Sequence, residues 1–115
     1  MNEEEVECAL RIDSNPNVEY WIRNLERQEF YSFWLQTSTD KFYPDFIAKL
    51  KDETIVLIEY KNTALFSNED SKEKRQIGDF YANLSAGKIR FIMLNGKEWQ
   101  KLSEMLNPVN KNYHK

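Results

Sequence analysis

Phe42-Tyr-Pro-Asp-Phe-Ile-Ala-Lys-Leu50, Lys51-Asp-Glu-Thr54 and Ile55-Val-Leu-Ile-Glu-Tyr-Lys61 run on from one another without a break. Two β-branched and aromatic runs flank a short polar turn, so the stretch reads as a β-hairpin. Side chains alternate along a strand, which puts Asp45, Ile47 and Lys49 on one face of the first strand and Phe46, Ala48 and Leu50 on the other. In the second strand Ile55, Leu57, Glu59 and Lys61 share a face. Closing the hairpin brings Asp45 opposite the Glu59 end across a strand spacing of about 5 Å, with Lys61 about 6.6 Å further along the same face.

Glu59 then occupies the face that carries Ile55 and Leu57. A lone carboxylate against an apolar sheet loses hydration worth several kcal/mol, and a second carboxylate beside it adds repulsion. A divalent cation between Asp45 and Glu59 removes both penalties, and Mg²⁺ suits such a site because it takes oxygen ligands and keeps several waters. A water acidified by the cation can attack phosphorus, with Lys61 orienting it or neutralising transition-state charge. The plain alternative is an exposed strand end with Asp45 as a turn cap, since Glu-x-Lys arises often by chance in a chain that is 30% charged.

Outward from the hairpin the pattern is helix, several antiparallel strands, helix, strand, helix. Residues 3–13 place Val6, Ala9, Leu10 and Ile12 near one side of a short acidic helix that ends at Asp13-Ser-Asn-Pro-Asn17. From Val18, alternation of Val18, Tyr20 and Ile22 with Glu19, Trp21 and Arg23 favours a strand, although Val18, Trp21 and Leu25 would also suit a helix. Residues 30–37 are aromatic and β-prone. After a polar loop, a helix is expected from Ser71 to about Ser85, with Ile77, Phe80, Tyr81 and Leu84 inward and Gly87 as its stop. Ile89-Arg-Phe-Ile-Met-Leu94 is a short apolar run of the kind a central strand shows. A last helix, about Glu98 to Leu106, can bury Trp99, Leu102, Met105 and Leu106. These elements predict an α/β (α+β) chain folded as a three-layer sandwich around one mixed sheet.

A chain of 115 residues with 41% hydrophobic side chains fits one domain, residues 1–115, with a single core. Its apolar runs are far shorter than the roughly 20 residues of a membrane helix, and Met1-Asn-Glu-Glu-Glu lacks the order of a signal peptide, so a cytoplasmic protein without a membrane partner is expected. Cys8, the one cysteine, has no internal disulfide partner, and a single histidine, His114, leaves no zinc-type cluster. Any metal must be held by oxygen. Cys8 is expected in the core, as are Trp34 and Trp99. The net charge of −3 argues against coating nucleic acid by bulk electrostatics. Basic residues are nevertheless grouped at Lys72, Lys74 and Arg75, which read as a solvated helix face one by one and as phosphate contacts together. Arg23, beside Trp21, suits either a DNA-facing position or a buried structural pair.

Pro44-Asp45 followed by Glu59-Tyr-Lys61 resembles the PD-(D/E)XK nuclease superfamily. Val18-Glu-Tyr-Trp-Ile-Arg-Asn-Leu-Glu-Arg27, Phe33-Trp-Leu-Gln36, Tyr43-Pro-Asp-Phe-Ile47 and Asp70-Ser-Lys-Glu-Lys through Gly78 look like the C-terminal nuclease region of type III restriction-like DEAD/DEAH-box proteins, from about Val18 to Leu94. The resemblance implies a restriction-endonuclease-like fold and Mg²⁺-dependent DNA cleavage leaving a 5′-phosphate and a 3′-hydroxyl, with Mn²⁺ as a substitute. It assigns Asp45 and Glu59 as metal ligands, Lys61 as the catalytic lysine, and Glu4 or Glu5 of the first helix, with Glu5 preferred, as a further ligand. It also points to Lys72 and Gln76, one helical turn apart, as contacts to the scissile phosphate.

Two positions depart from the family: Asp52-Glu53 stands where its hairpin has Gly, and Asn62 where Gly follows the lysine. Asn and Asp tolerate left-handed backbone better than most residues, so neither departure implies lost activity. None of the three glycines belongs to an ATP-binding phosphate loop, so the chain carries no ATP-driven motor of its own; the resemblance implies an ATP-dependent helicase or translocase, in cis or in trans, as a partner besides DNA. The chain is compatible with being a piece of a longer protein. The competing expectation is an inactive DNA-binding or protein-interaction module that keeps the nuclease fold.

Overall fold

The computed structural model describes residues 2–24, 35–37 and 41–108; Phe30 to Trp34 and His114 lie outside them. Among the described residues four helices and six strands follow in the order α1 (Glu3–Ser14), β1 (Val18–Arg23), β2 (Leu35–Gln36), β3 (Lys41–Phe42), β4 (Phe46–Leu50), β5 (Ile55–Lys61), α2 (Thr63–Phe66), α3 (Glu69–Leu84), β6 (Ile89–Asn95) and α4 (Trp99–Met105). The main sheet has the order β1-β4-β5-β6, and β2 pairs with β3 in a separate ribbon. β1–β4 and β4–β5 are antiparallel, whereas β5–β6 is parallel and is joined through α2 and α3. The sheet is therefore mixed.

The β4–β5 hairpin matches its sequence reading: Ile47 pairs with Leu57, Phe46 with Ile58 and Lys49 with Ile55. Asp52 Oδ1 accepts from the Thr54 amide at 3.0 Å and so closes the turn. The left-handed residue there is Glu53, at φ 80°, which lacks the local side-chain bonding that makes Asn and Asp tolerable in that region. Asn62 needs no such allowance. Its φ is −69°, and its side chain caps α2 by accepting from the Leu65 amide.

The strand expected from Phe42 to Leu50 is broken at Tyr43-Pro44-Asp45, because Pro44 has no N–H to give a ladder. The polar segment after Lys61 holds α2, and α3 starts at Glu69, two residues before the expected Ser71, because the Asn68 side chain caps it. Ser71 is instead buried, its Oγ donating to the Leu65 carbonyl.

The sheet lies between two helical layers. On one face, Phe46, Ala48, Leu50, Val56, Ile58, Tyr60 and Leu94 pack with Cys8, Ala9 and Ile12 of α1 and with Leu102 and Leu106 at α4. Trp99 and Met105 border this core, as anticipated. On the other face, Leu57, Phe91 and Met93 pack with Ile77, Tyr81 and Ala82 of α3 and with Leu35 and Phe42 of the ribbon. Both helices are rotated from the expected faces. Val6 and Leu10 of α1 are exposed, as are Phe80 and Leu84 of α3, Leu84 by 67%. Gly78 sets the phase of α3, since it packs directly on Phe91 and a Cβ there would overlap the ring. Among the described residues β6 is also an edge strand and not a central one; its apolar run follows from helices covering both faces. No helix among the described residues is long and apolar enough to cross a membrane.

Candidate active site

Asp45 stands at the bend that leads into β4, and Glu59 lies in β5 one step beyond the paired Phe46 and Ile58. The two residues are bonded crosswise. The Asp45 amide donates to Glu59 Oε1 at 3.1 Å, and the Tyr60 amide donates to Asp45 Oδ2 at 2.8 Å. Each carboxylate thus satisfies a backbone N–H where the ladder ends, which fixes its orientation and leaves Asp45 Oδ1 and Glu59 Oε2 outside the clasp. Lys61 Nζ lies 3.6 Å from Glu59 Oε2. Glu59 is only 5% exposed, which rules out the reading of an exposed strand end.

These groups open on a polar cavity of about 320 Å³ lined by Arg23, Asn24, Tyr43, Asp45, Glu59, Lys61 and Lys74. Burial, followed by the charge of Asp45, pushes the Glu59 carboxyl well above its ordinary range, against the opposing pull of Lys61 and Lys74. Burial and then the carboxylate of Glu5 push Asp45 up as well. A hydrogen bond with Glu59 and the positive charges of Lys61 and Arg23 hold Asp45 the lower of the two. Two desolvated carboxyls side by side in a water-accessible cleft are where protons concentrate, or where a cation can replace them.

Of the residues singled out from the sequence, Asp45, Glu59, Lys61, Arg23 and Lys74 meet in this cavity. Lys74 extends over the Phe42 ring, 5.5 Å from its centroid, and pairs with Asp70 at 3.1 Å. Lys72, Arg75 and Gln76 do not line it. Lys72 pairs with Glu69 on the surface. Arg75 donates to the Phe66 carbonyl and lies 4.2 Å from the Phe66 ring centroid, so its guanidinium has a structural post. Gln76 is exposed on α3.

Glu5 lies on the inward stripe of α1, at i, i+3, i+4 and i+7 with Cys8, Ala9 and Ile12. Its charge reaches both Asp45 and the buried Cys8, whose thiol is pushed up to about 12 by burial and by these two carboxylates. Glu5 is nevertheless held in a capping box, its Oε1 accepting from the Asn2 amide at 3.2 Å.

Asn24 and Tyr43 also line the cavity, and neither stood out in the sequence. The Asn24 backbone amide donates to the Asp45 carbonyl at 2.8 Å, and its side-chain amide to the Pro44 carbonyl at 2.9 Å. Asn24 thereby ties the end of β1 to the bend that presents Asp45. Its place just after the alternating strand was the only available hint, because the bond spans 20 residues.

Asp45 and Glu59 offer a hard, anionic oxygen pair suited to Mg²⁺ or Mn²⁺, with room in the cavity for waters. Among the described residues no group of three or more His, Cys, Asp or Glu side chains comes together as a cation site. Compared with protein-family models, curated proteins and solved structures, the chain gives no match.

Proposed function

We propose that this chain is a Mg²⁺-dependent DNA endonuclease domain of restriction-endonuclease-like fold, hydrolysing phosphodiester bonds at the Asp45–Glu59–Lys61 cavity. The observation that carries the reading is the crosswise clasp, which holds two desolvated carboxylates and an ammonium around one cleft. Asp45 and Glu59 would hold the cation through the oxygens outside the clasp. Bound there, Mg²⁺ supplies Lewis-acid activation of water and neutralises phosphate charge. Lys61 directs its ammonium at the reacting phosphate, where charge accumulates in the transition state. Lys74 and Arg23, at the rim, bind the flanking phosphates and set the register of the strand. The work of the domain is restriction or DNA processing alongside a helicase or translocase, in cis or in trans.

Nicking of supercoiled plasmid in Mg²⁺ or Mn²⁺ tests the reading, with Glu59→Ala and Lys61→Ala checked for native folding by circular dichroism. Loss of cutting in both supports it, whereas cutting at wild-type levels in both overturns it. A second reading, a DNA-binding module without catalysis, is favoured by the engagement of Glu5 in its helix cap, which leaves two carboxylates at the cleft. Metal-independent DNA binding with no cleavage, even when the ATP-dependent partner is supplied, would select it.

A further inference from the structure

β6 turns its Phe91 and Met93 side chains to the α3 face, then ends on Asn95. The parallel ladder pairs Leu57 with Phe91, Glu59 with Met93 and Lys61 with Asn95. Partners in such a ladder point to the same side, so the Asn95 amide stands beside the Lys61 stem on the face that carries Glu59. Its Oδ1 is buried and finds no donor among the described residues. A shielded amide oxygen without a donor is costly enough to require an explanation. This strand end is held without help from the Asn95 side chain, since the Gly96 amide donates to the Lys61 carbonyl at 2.7 Å and the Asn95 backbone amide to the Glu98 side chain at Oε1, also at 2.7 Å. An ammonium has three protons to donate, and Glu59 Oε2, 3.6 Å from Lys61 Nζ, is the acid it pairs with.

We infer that Asn95 is a positioning residue for Lys61: its Oδ1 accepts a hydrogen bond from the Lys61 ammonium once a cation claims the Glu59 carboxylate, and it holds the ammonium beside the cleft. This rests on the reading of Asp45 and Glu59 as a cation site. Glu59 cannot give the same oxygen fully to a cation and to Lys61. The second acceptor lets the carboxylate turn to the metal without leaving the lysine adrift or drawing it into the ligand shell. Asn95 contacts neither ligand nor substrate in this role, and acts through Lys61 alone.

The test uses the whole chain, with Mn²⁺ affinity measured by water-proton relaxation and the Lys61 ammonium followed by ¹H–¹⁵N NMR in Mg²⁺. Wild type should bind Mn²⁺ and lose that binding in Glu59→Gln. Its Lys61 ammonium should become slow to exchange when Mg²⁺ is added. Asn95→Leu should keep the Mn²⁺ affinity and a melting temperature at or above wild type, yet lose the slow ammonium signal. Its kcat on plasmid should fall about tenfold or more at unchanged KM, on the scale of other outer-shell partners of metal sites. Asn95→Asp, which keeps an acceptor, should restore the signal and most of the rate, and it serves as the probe if Asn95→Leu does not fold.

An ammonium signal in Asn95→Leu identical to wild type, with Mn²⁺ still bound, overturns the inference and leaves the cation site standing. Failure of wild type to bind Mn²⁺ overturns both. The NMR comparison decides even where the isolated chain cuts no DNA.

Discussion

Asp45 and Glu59 occupy each other's backbone: the Asp45 amide donates to Glu59 Oε1 at 3.1 Å, and Asp45 Oδ2 accepts from the amide that follows Glu59, that of Tyr60, at 2.8 Å. The exchange takes the place of a ladder rung where Pro44 interrupts the pairing. It holds the two acids in a geometry that neither side chain would keep alone. It also keeps both largely out of water, which stores an unfavourable interaction at the site.

That cost sets a pH dependence of stability. The folded-state pKa of Glu59 is raised to about 8, above the ordinary carboxylate value it has in the unfolded chain. Between that ordinary value and about 8 the folded chain binds more protons than the unfolded one, so the contribution of Glu59 to stability is full at low pH and lost as pH rises. Glu59→Gln cannot ionise. Its melting temperature should be close to wild type at pH 5, above wild type at pH 9, and flatter between them, as read by thermal denaturation in the absence of divalent ions.

Divalent cations should reverse the loss. At a roughly hundredfold excess over its dissociation constant, a ligand that binds only the folded state stabilises it by about 2.7 kcal/mol. For a domain of this size that corresponds to a rise in melting temperature of the order of 10 °C. The rise with Mg²⁺ or Mn²⁺ should be large at pH 8, small at pH 5 where protons compete, and absent in Asp45→Asn. An equal rise in Asp45→Asn would place the cation elsewhere.

The two lysines of α3 should behave differently. Lys74 lines the cleft and Lys72 pairs with Glu69 outside it. Lys74→Ala should weaken DNA binding and reduce cleavage about tenfold, the loss of one charge-assisted phosphate contact of about 1.5 kcal/mol. Lys72→Ala should stay within about twofold, in line with the small contribution of exposed ion pairs. Fluorescence anisotropy with labelled DNA across salt concentrations checks both, because a true phosphate contact also lowers the salt slope by about one.

Glu53 is a point at which stability can be gained. It adopts φ 80° in the β4–β5 turn, where a Cβ costs roughly 1–2 kcal/mol, part of which is offset by the extra freedom glycine has when unfolded. The exposed Glu53–Lys49 ion pair that would be lost is minor, since Lys49 also pairs with Glu19. Glu53→Gly should therefore raise stability by about 0.5–1 kcal/mol in urea denaturation, with no change at the cleft.

The chemistry-bearing hairpin was legible in the sequence because its information is local. Period-two alternation and a short polar turn are enough to put Asp45, Glu59 and Lys61 on one face, and the register of Ile47 with Leu57 bears this out. The helices α1, α3 and α4 and the strand β5 were readable on the same terms, whereas α2 and the capping roles of Asn62 and Asn68 were not. The sequence also marked Cys8 and Leu102 as core residues without showing what they touch.

The tertiary structure decided what depends on how elements are rotated and stacked. α3 presents Lys74 to the cleft instead of Lys72 and Gln76, because Gly78 must seat on Phe91 and this contact sets the phase of the helix. α1 turns Cys8 and Ile12 inward and leaves Leu10 in solvent, since hydrophobic spacing allows more than one stripe when apolar residues are scattered. Asn24 reaches the Asp45 bend only because β1 pairs with β4, and Asn95 stands beside Lys61 only because β6 is parallel to β5. A sequence pattern of period two or 3.6 fixes the face of an isolated element. Which neighbour that face meets is settled by packing across the sheet, between residues too far apart in the chain for any local pattern to connect them.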